Sequence, residues 1–171
     1  SATMTDWLSS NNDPRIDAFG SSNVGFAYGL TRNDAVAFAN TNVNWARVLA
    51  PDQRTETSSM YLITADQVML ARAEAAELGW TSEDPVTLYA NAIQACWQRW
   101  GVYDATAYAT YMAQPSISLV TNPLQKIAEQ TWLAFYPNGV QGYSNWRRTG
   151  YPTLTPAPGT TGGIPRRIPY G

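Results

Sequence analysis

The sequence contains no histidine. That removes the commonest general base, the commonest proton shuttle and the commonest metal ligand. Its one cysteine, Cys96, allows neither an intrachain disulfide nor a cysteine metal cluster. Cys96 lies in an apolar helical run between Ala95 and Trp97, so a buried, inert thiol is expected. The absence of a disulfide leaves the compartment open. Charge is scarce as well. Only 14% of residues are Asp, Glu, Lys or Arg, and the formal net charge is -2. No nucleic-acid partner is expected from such a balance, and neutral polar residues must cover much of the surface. No run approaches the roughly 20 apolar residues that span a bilayer. No signal peptide is expected at the start.

Aromatic residues are plentiful, with 7 Trp and 10 Tyr. Their flat amphipathic faces suit interfaces or sugar rings. Residues 1–56 are polar and irregular, with a strong turn at Asn11-Asn12-Asp13-Pro14 and a short helix near Thr3 to Ser9. Phe19, Phe26, Tyr28, Phe38 and Trp45 nevertheless require burial. This region therefore reads as a long ordered loop packed on a body, and as a candidate ligand-binding face. Asp13, Asp17 and Asp34 fit no EF-hand spacing and are expected to be solvated turn carboxylates. No metal site and no cofactor are expected.

Residues 57–150 read as a helical body. A helix is expected from Ser58 or Ser59 to Leu78, stopped by Gly79. The next opens at Asp84-Pro85 and carries Val86, Tyr89, Ala90, Ile93, Trp97 and Trp100 on one stripe. The short link makes the two a hairpin. A short helix follows from Asp104 to Ala113. A strong one opens at Thr121 or Asn122, with Pro123 first and Trp132 on its apolar stripe. A last one spans about Val140 to Arg148. Residues 151–171 are rich in Pro, Gly and Thr and read as an extended segment hugging the body. The class is mainly α, with tetratricopeptide-like hairpins, long ordered loops and an irregular tail. One such hairpin cannot bury its own faces and needs a neighbour.

Two Arg-Arg pairs stand out, Arg147-Arg148 beside Trp146 and Arg166-Arg167 between prolines. Buried arginine clamps carbonyls or carboxylates. Glu74, on a small-residue helical face, is the expected acidic partner, and Trp146 the expected platform for a guanidinium. Loss of Arg148 or Arg167 should then cost about 3 kcal/mol.

Several short motifs occur in a fixed order. They are Asp13-Pro14-Arg15-Ile16, Tyr61-Leu62-Ile63 leading to Ala73-Glu74-Ala75, and Tyr89-Ala90-Asn91-Ala92-Ile93. Gln125-Lys126 to Trp132, Trp146 to Pro152 and Ile164 to Tyr170 complete the series. This ordered set resembles the C-terminal part of the SusD/RagB family. Those proteins are surface lipoproteins of Bacteroidetes that capture glycans or other nutrients beside a TonB-dependent, SusC-like transporter. The resemblance implies a non-catalytic binding protein with an oligosaccharide or polysaccharide ligand. It also implies a place at the cell surface, on the outer membrane, through a lipid anchor absent from this chain.

Sugar capture calls for aromatic platforms with amide rims. The candidates are Trp45 flanked by Asn42 and Asn44, then Tyr28, then Trp7 beside Asp6. Two alternatives remain open. One is a helical scaffold that docks on the transporter without its own ligand. The other is a glycoside hydrolase, which needs two facing carboxyl groups.

Overall fold

The computed structural model describes residues 1–160 and 162–167. Among these, eight α-helices follow one another. They are α1 (Ala2–Ser10), α2 (Ile16–Phe19), α3 (Arg32–Thr41), α4 (Ala65–Glu77), α5 (Pro85–Arg99), α6 (Ala105–Met112), α7 (Pro123–Ala134) and α8 (Gly139–Thr149). The described residues form no strand beyond one antiparallel bridge between Gly20 and Val48. The chain is all-helical, as expected.

The helix starts follow cap chemistry. At α5 the Asp84 carboxylate accepts from the backbone N–H groups of Val86 (3.2 Å) and Thr87 (3.0 Å), and Pro85 needs no partner. α4 begins seven residues later than Ser58, at Ala65. There Gln67 Oε1 accepts the Thr64 N–H at 3.3 Å, tying the first turn down. The residues just before it are not helical, and Met60, Leu62 and Ile63 are 90%, 88% and 76% exposed. Tyr61 and Leu62 therefore lie outside the helix, which was expected to begin at Ser58 or Ser59. α3 falls inside a stretch expected to be loop. Thr31 caps it by accepting from Asp34 N–H, and none of its residues is buried.

Two cores share the long helices. In the first, Leu70 and Ala73 of α4 meet Tyr89, Ile93 and Trp97 of α5, Tyr111 of α6 and Ile127 of α7. This is the hairpin with the neighbour it requires, because α4 packs on α7 as well as on α5. In the second, Met4 and Leu8 of α1 and Phe19 of α2 meet Cys96 and Trp100 of α5 and Leu133 of α7. Trp7 touches both.

The seam between them is polar. Asp13 and Arg15 are each 1% exposed, so Asp13 is no solvated turn carboxylate. Arg15 donates to Asp13 through Nη2 (2.5 Å) and Nε (2.9 Å). Nη2 also reaches Gln130 Oε1 of α7 at 2.8 Å, and Nη1 reaches Cys96 Sγ of α5 at 3.4 Å. The turn between α1 and α2 is thereby bound to the helical body by a fully satisfied cation. Burial pushes the Cys96 thiol up to about 11, so it stays protonated and inert. A second buried pair joins α4 to α5, with Arg99 Nη2 2.8 Å from Asp66 Oδ2.

The arginines of the C-terminal motifs are placed differently from the expectation. Arg148 pairs with Glu74 across α8 and α4, but the two side chains are 55% and 21% exposed. Arg147 lies over Tyr143, and it is Arg166 that lies over Trp146, 5.0 Å from the ring centre. Arg166 also donates to Arg147 O, and Tyr143 Oη donates to Pro165 O, so the tail rests along α8. Arg147, Arg166 and Arg167 are exposed. The Ile168-Pro169-Tyr170 part of the last motif lies outside the described residues.

These differences set two stability predictions. Arg15→Ala, which strands a buried Asp13, should destabilise by about 3 kcal/mol or more in urea unfolding. Arg148→Ala should cost under about 1 kcal/mol, as half-exposed pairs do. Burial raises the Asp66 carboxyl, but hydrogen bonds from Arg99 and Thr64 and the Arg99 charge together outweigh it and hold the group below its ordinary value. A lowered carboxylate stabilises above its unfolded pKa and loses that contribution as pH falls through the folded one. Asp66→Asn should therefore lower stability at neutral pH and flatten the acid side of the stability curve, measured by urea midpoints between pH 6 and pH 3.

Candidate functional site

Between Gly20 and Val48 the chain leaves the body and returns. The bridge at this neck is reinforced on both sides. Ala46 N–H donates to Val24 O (2.7 Å), Leu49 N–H to Phe19 O (3.0 Å) and Arg47 N–H to Ser21 Oγ (3.0 Å). The excursion carries α3 and its own small aromatic island. Phe26 is its centre, with ring centroids 5.8 Å from Tyr28, 5.1 Å from Phe38 and 5.2 Å from Trp45. Few other apolar contacts hold α3, so this island anchors it.

The excursion is seated on α1 at Gly25. A side chain there would run into Thr5 Oγ1 and the Ala2 backbone, and the neighbouring Phe26 O accepts the Ala2 N–H at 2.9 Å. A Cβ at Gly29, whose φ is +83°, would likewise meet Ala157 of the tail.

Beneath this excursion opens a cleft of about 330 Å³. Met4 and Leu8 of α1, with Phe19, form its floor. Trp132 and Tyr136, then Tyr143 and Trp146 of α8, form the far wall. Tyr28 and Arg47 stand at the near rim. Phe19 and Tyr136 stack at 4.3 Å, and Tyr136 Oη donates to Phe19 O at 2.5 Å while accepting from Leu49 N–H. The wall is thus tied to the neck of the excursion. Tyr143 and Trp146 are near-parallel, 5.9 Å apart. Trp132, expected in the core, is only half-buried and faces this cleft. No Asp or Glu lines it among the described residues. Such a cleft can stack planar or ring-faced ligands and offers no pair of carboxyl groups for proton transfer.

Of the residues singled out in the sequence, Tyr28 and Trp45 come together around Phe26, and Tyr28 is 65% exposed. The Asn42 side chain donates to Phe38 O at 3.1 Å, closing the end of α3 rather than facing outward. Asn44 is exposed beside Trp45, and its carbonyl accepts from Ser22 Oγ. Trp7 is separate, since it packs between the two cores. Sequence reasoning missed Arg47, Tyr136, Tyr143 and the open side of Trp132. The only signal for the cation was its position two residues after a loop tryptophan.

A family model described as "SusD-like_2: Starch-binding associating with outer membrane" matches residues 1–171. The chain belongs to the SusD-like family. No curated protein matches it in sequence. Among solved structures, a chitin-binding protein superposes with a TM-score of 0.74 at 26% identity, over 96% of this chain and 41% of its own. A chitin-binding SusD homolog from Flavobacterium johnsoniae gives 0.72 at 24%, over 92% and 38%. A SusD-like protein from Bacteroidetes AC2a gives 0.71 at 22%, over 98% and 46%. The chain therefore spans less than half the length of these SusD-like relatives.

The seating at Gly25 is testable. Gly25→Val should lift the excursion from α1 and shift the tryptophan emission. The unfolding free energy, set by the two cores, should change by less than about 1 kcal/mol.

Proposed function

We propose that this chain carries a glycan-binding surface of a SusD-like protein, formed by the 21–47 excursion and the aromatic cleft beneath it. The observation that carries this reading is an apolar, aromatic-walled cleft lined by Tyr28, which meets Trp45 through their shared neighbour Phe26. Sugar rings present apolar faces that stack on such groups, while their hydroxyls take the polar rim. The cleft is large enough for a ring or two, since ligand pockets begin near 300 Å³. Binding without chemistry fits a wall that holds no carboxylate. The family description and the chitin-binding relatives point to the same ligand class.

By the same family relation, the whole protein would sit on the outer membrane and pass its ligand to a TonB-dependent transporter. No helix among the described residues is long and apolar enough to cross a membrane. The interaction-scaffold alternative is favoured by no specific feature of this cleft.

Calorimetric titration with chito-oligosaccharides, malto-oligosaccharides and mixed plant and microbial oligosaccharide pools tests the reading. Saturable binding is expected, weakened at least tenfold in Tyr28→Ala and in Trp45→Ala. Binding that survives both substitutions would place the site elsewhere, and no binding to any pool would sink the proposal for this chain.

A further inference from the structure

The cleft contains one charged side chain among its described lining residues, Arg47. Four ion pairs occur among the described residues, and none uses Arg47. Its backbone is held on both faces of the neck, because Arg47 N–H donates to Ser21 Oγ and Arg47 O accepts from Ser21 N–H. Its guanidinium lies over the Trp45 ring, 5.4 Å from the centre. A cation is thus fixed in place, stacked on an aromatic face, with no acid beside it.

That arrangement differs from that of the arginines engaged in ion pairs. Arg15, Arg72, Arg99 and Arg148 each face an acid of the chain itself. A guanidinium presents a planar fork of donors that matches an anionic oxygen pair far better than a single hydroxyl. Stacking on Trp45 keeps one face dry and leaves the edge of the fork for a ligand. The chain as a whole is slightly acidic, so this is a local recognition feature and not a general basic field.

Resting on the glycan reading above, we propose that the cleft selects glycans bearing an anionic substituent, a carboxylate or a sulfate, which Arg47 receives. The ring that carries the substituent lies against Tyr28. The apolar wall of Trp132 and Tyr143 then takes the neighbouring unit. The anion would complete a charge pair that the protein leaves open.

Titration of the 171-residue chain with three oligosaccharide pools tests this. One pool is uronate-containing, one is sulfated and one is neutral, all of similar length. At least one acidic pool is expected to bind more tightly than the neutral pool. That binding should weaken several-fold between 50 mM and 300 mM NaCl, because partly exposed charges are screened. Arg47→Gln should weaken it at least tenfold, and Arg47→Lys should retain part of it. Arg47→Gln should leave the circular dichroism spectrum and unfolding midpoint unchanged, since the side chain is exposed. Which acidic pool responds distinguishes carboxylate from sulfate. Tighter binding of the neutral pool, or acidic binding that Arg47→Gln leaves intact, overturns the proposal. In either case glycan capture by the cleft stands. Failure of all three pools overturns both.

Discussion

The architecture depends on a single buried cation. Arg15 sits where the turn between α1 and α2 meets α5, α6 and α7, and every donor direction the structure gives it ends on Asp13, Gln130, Tyr111 or Cys96. Gln130 in turn donates to Tyr111 Oη at 2.8 Å, so the partners are also bound to each other. A charge taken this far from water is tolerable only when so completely enclosed. Replacing one partner leaves the rest unsatisfied, which makes the arrangement all-or-none. The first core, the second core and the α1–α2 turn are therefore held in one registry. The excursion that begins at Gly20, immediately after α2, inherits its position from that registry.

This gives the site a rigid base and a lighter rim. Phe19 packs against Tyr136 and Trp100, and Tyr136 is joined by hydrogen bonds to the neck. Above it, α3 has no buried residue and is anchored largely through Phe38 on Phe26. Ligand-facing groups are thus carried on a small unit with its own aromatic centre, while the scaffold below is fixed by charge and packing. Such a division lets the rim vary in chemistry without disturbing the fold.

The helices whose ends carry punctuation were legible in the sequence. Asp84-Pro85 and Gly101 bracket α5, and Pro123 opens α7, because caps and breakers act locally. The start of α4 was misjudged because Ser58 and Ser59 resemble caps, whereas Thr64 with Gln67 three residues on is the pair that satisfies the first turn. α3 has weak periodicity and no core face, so nothing in its pattern separates it from loop. The Arg15 clamp was invisible for a different reason. Apart from Asp13, its partners lie 81 to 115 residues away, at Cys96, Tyr111 and Gln130, and no spacing rule reaches that far. The Arg-Arg pairs carry a denser local signal that points to burial. Arg148 finds Glu74, but near the surface. At the site, Tyr28 and Trp45 could be named from their polar surroundings. The wall of Trp132, Tyr136 and Tyr143 could not, because it is assembled by the crossing of α7 and α8.

The non-helical segment before α4 bears on how this polypeptide behaves in solution. Met60 to Ile63 present four consecutive large apolar side chains on backbone that no strand covers. Apolar side chains exposed together favour association, and a net charge of only -2 provides little mutual repulsion between molecules. These four residues form an exposed apolar run set apart from the packed interior.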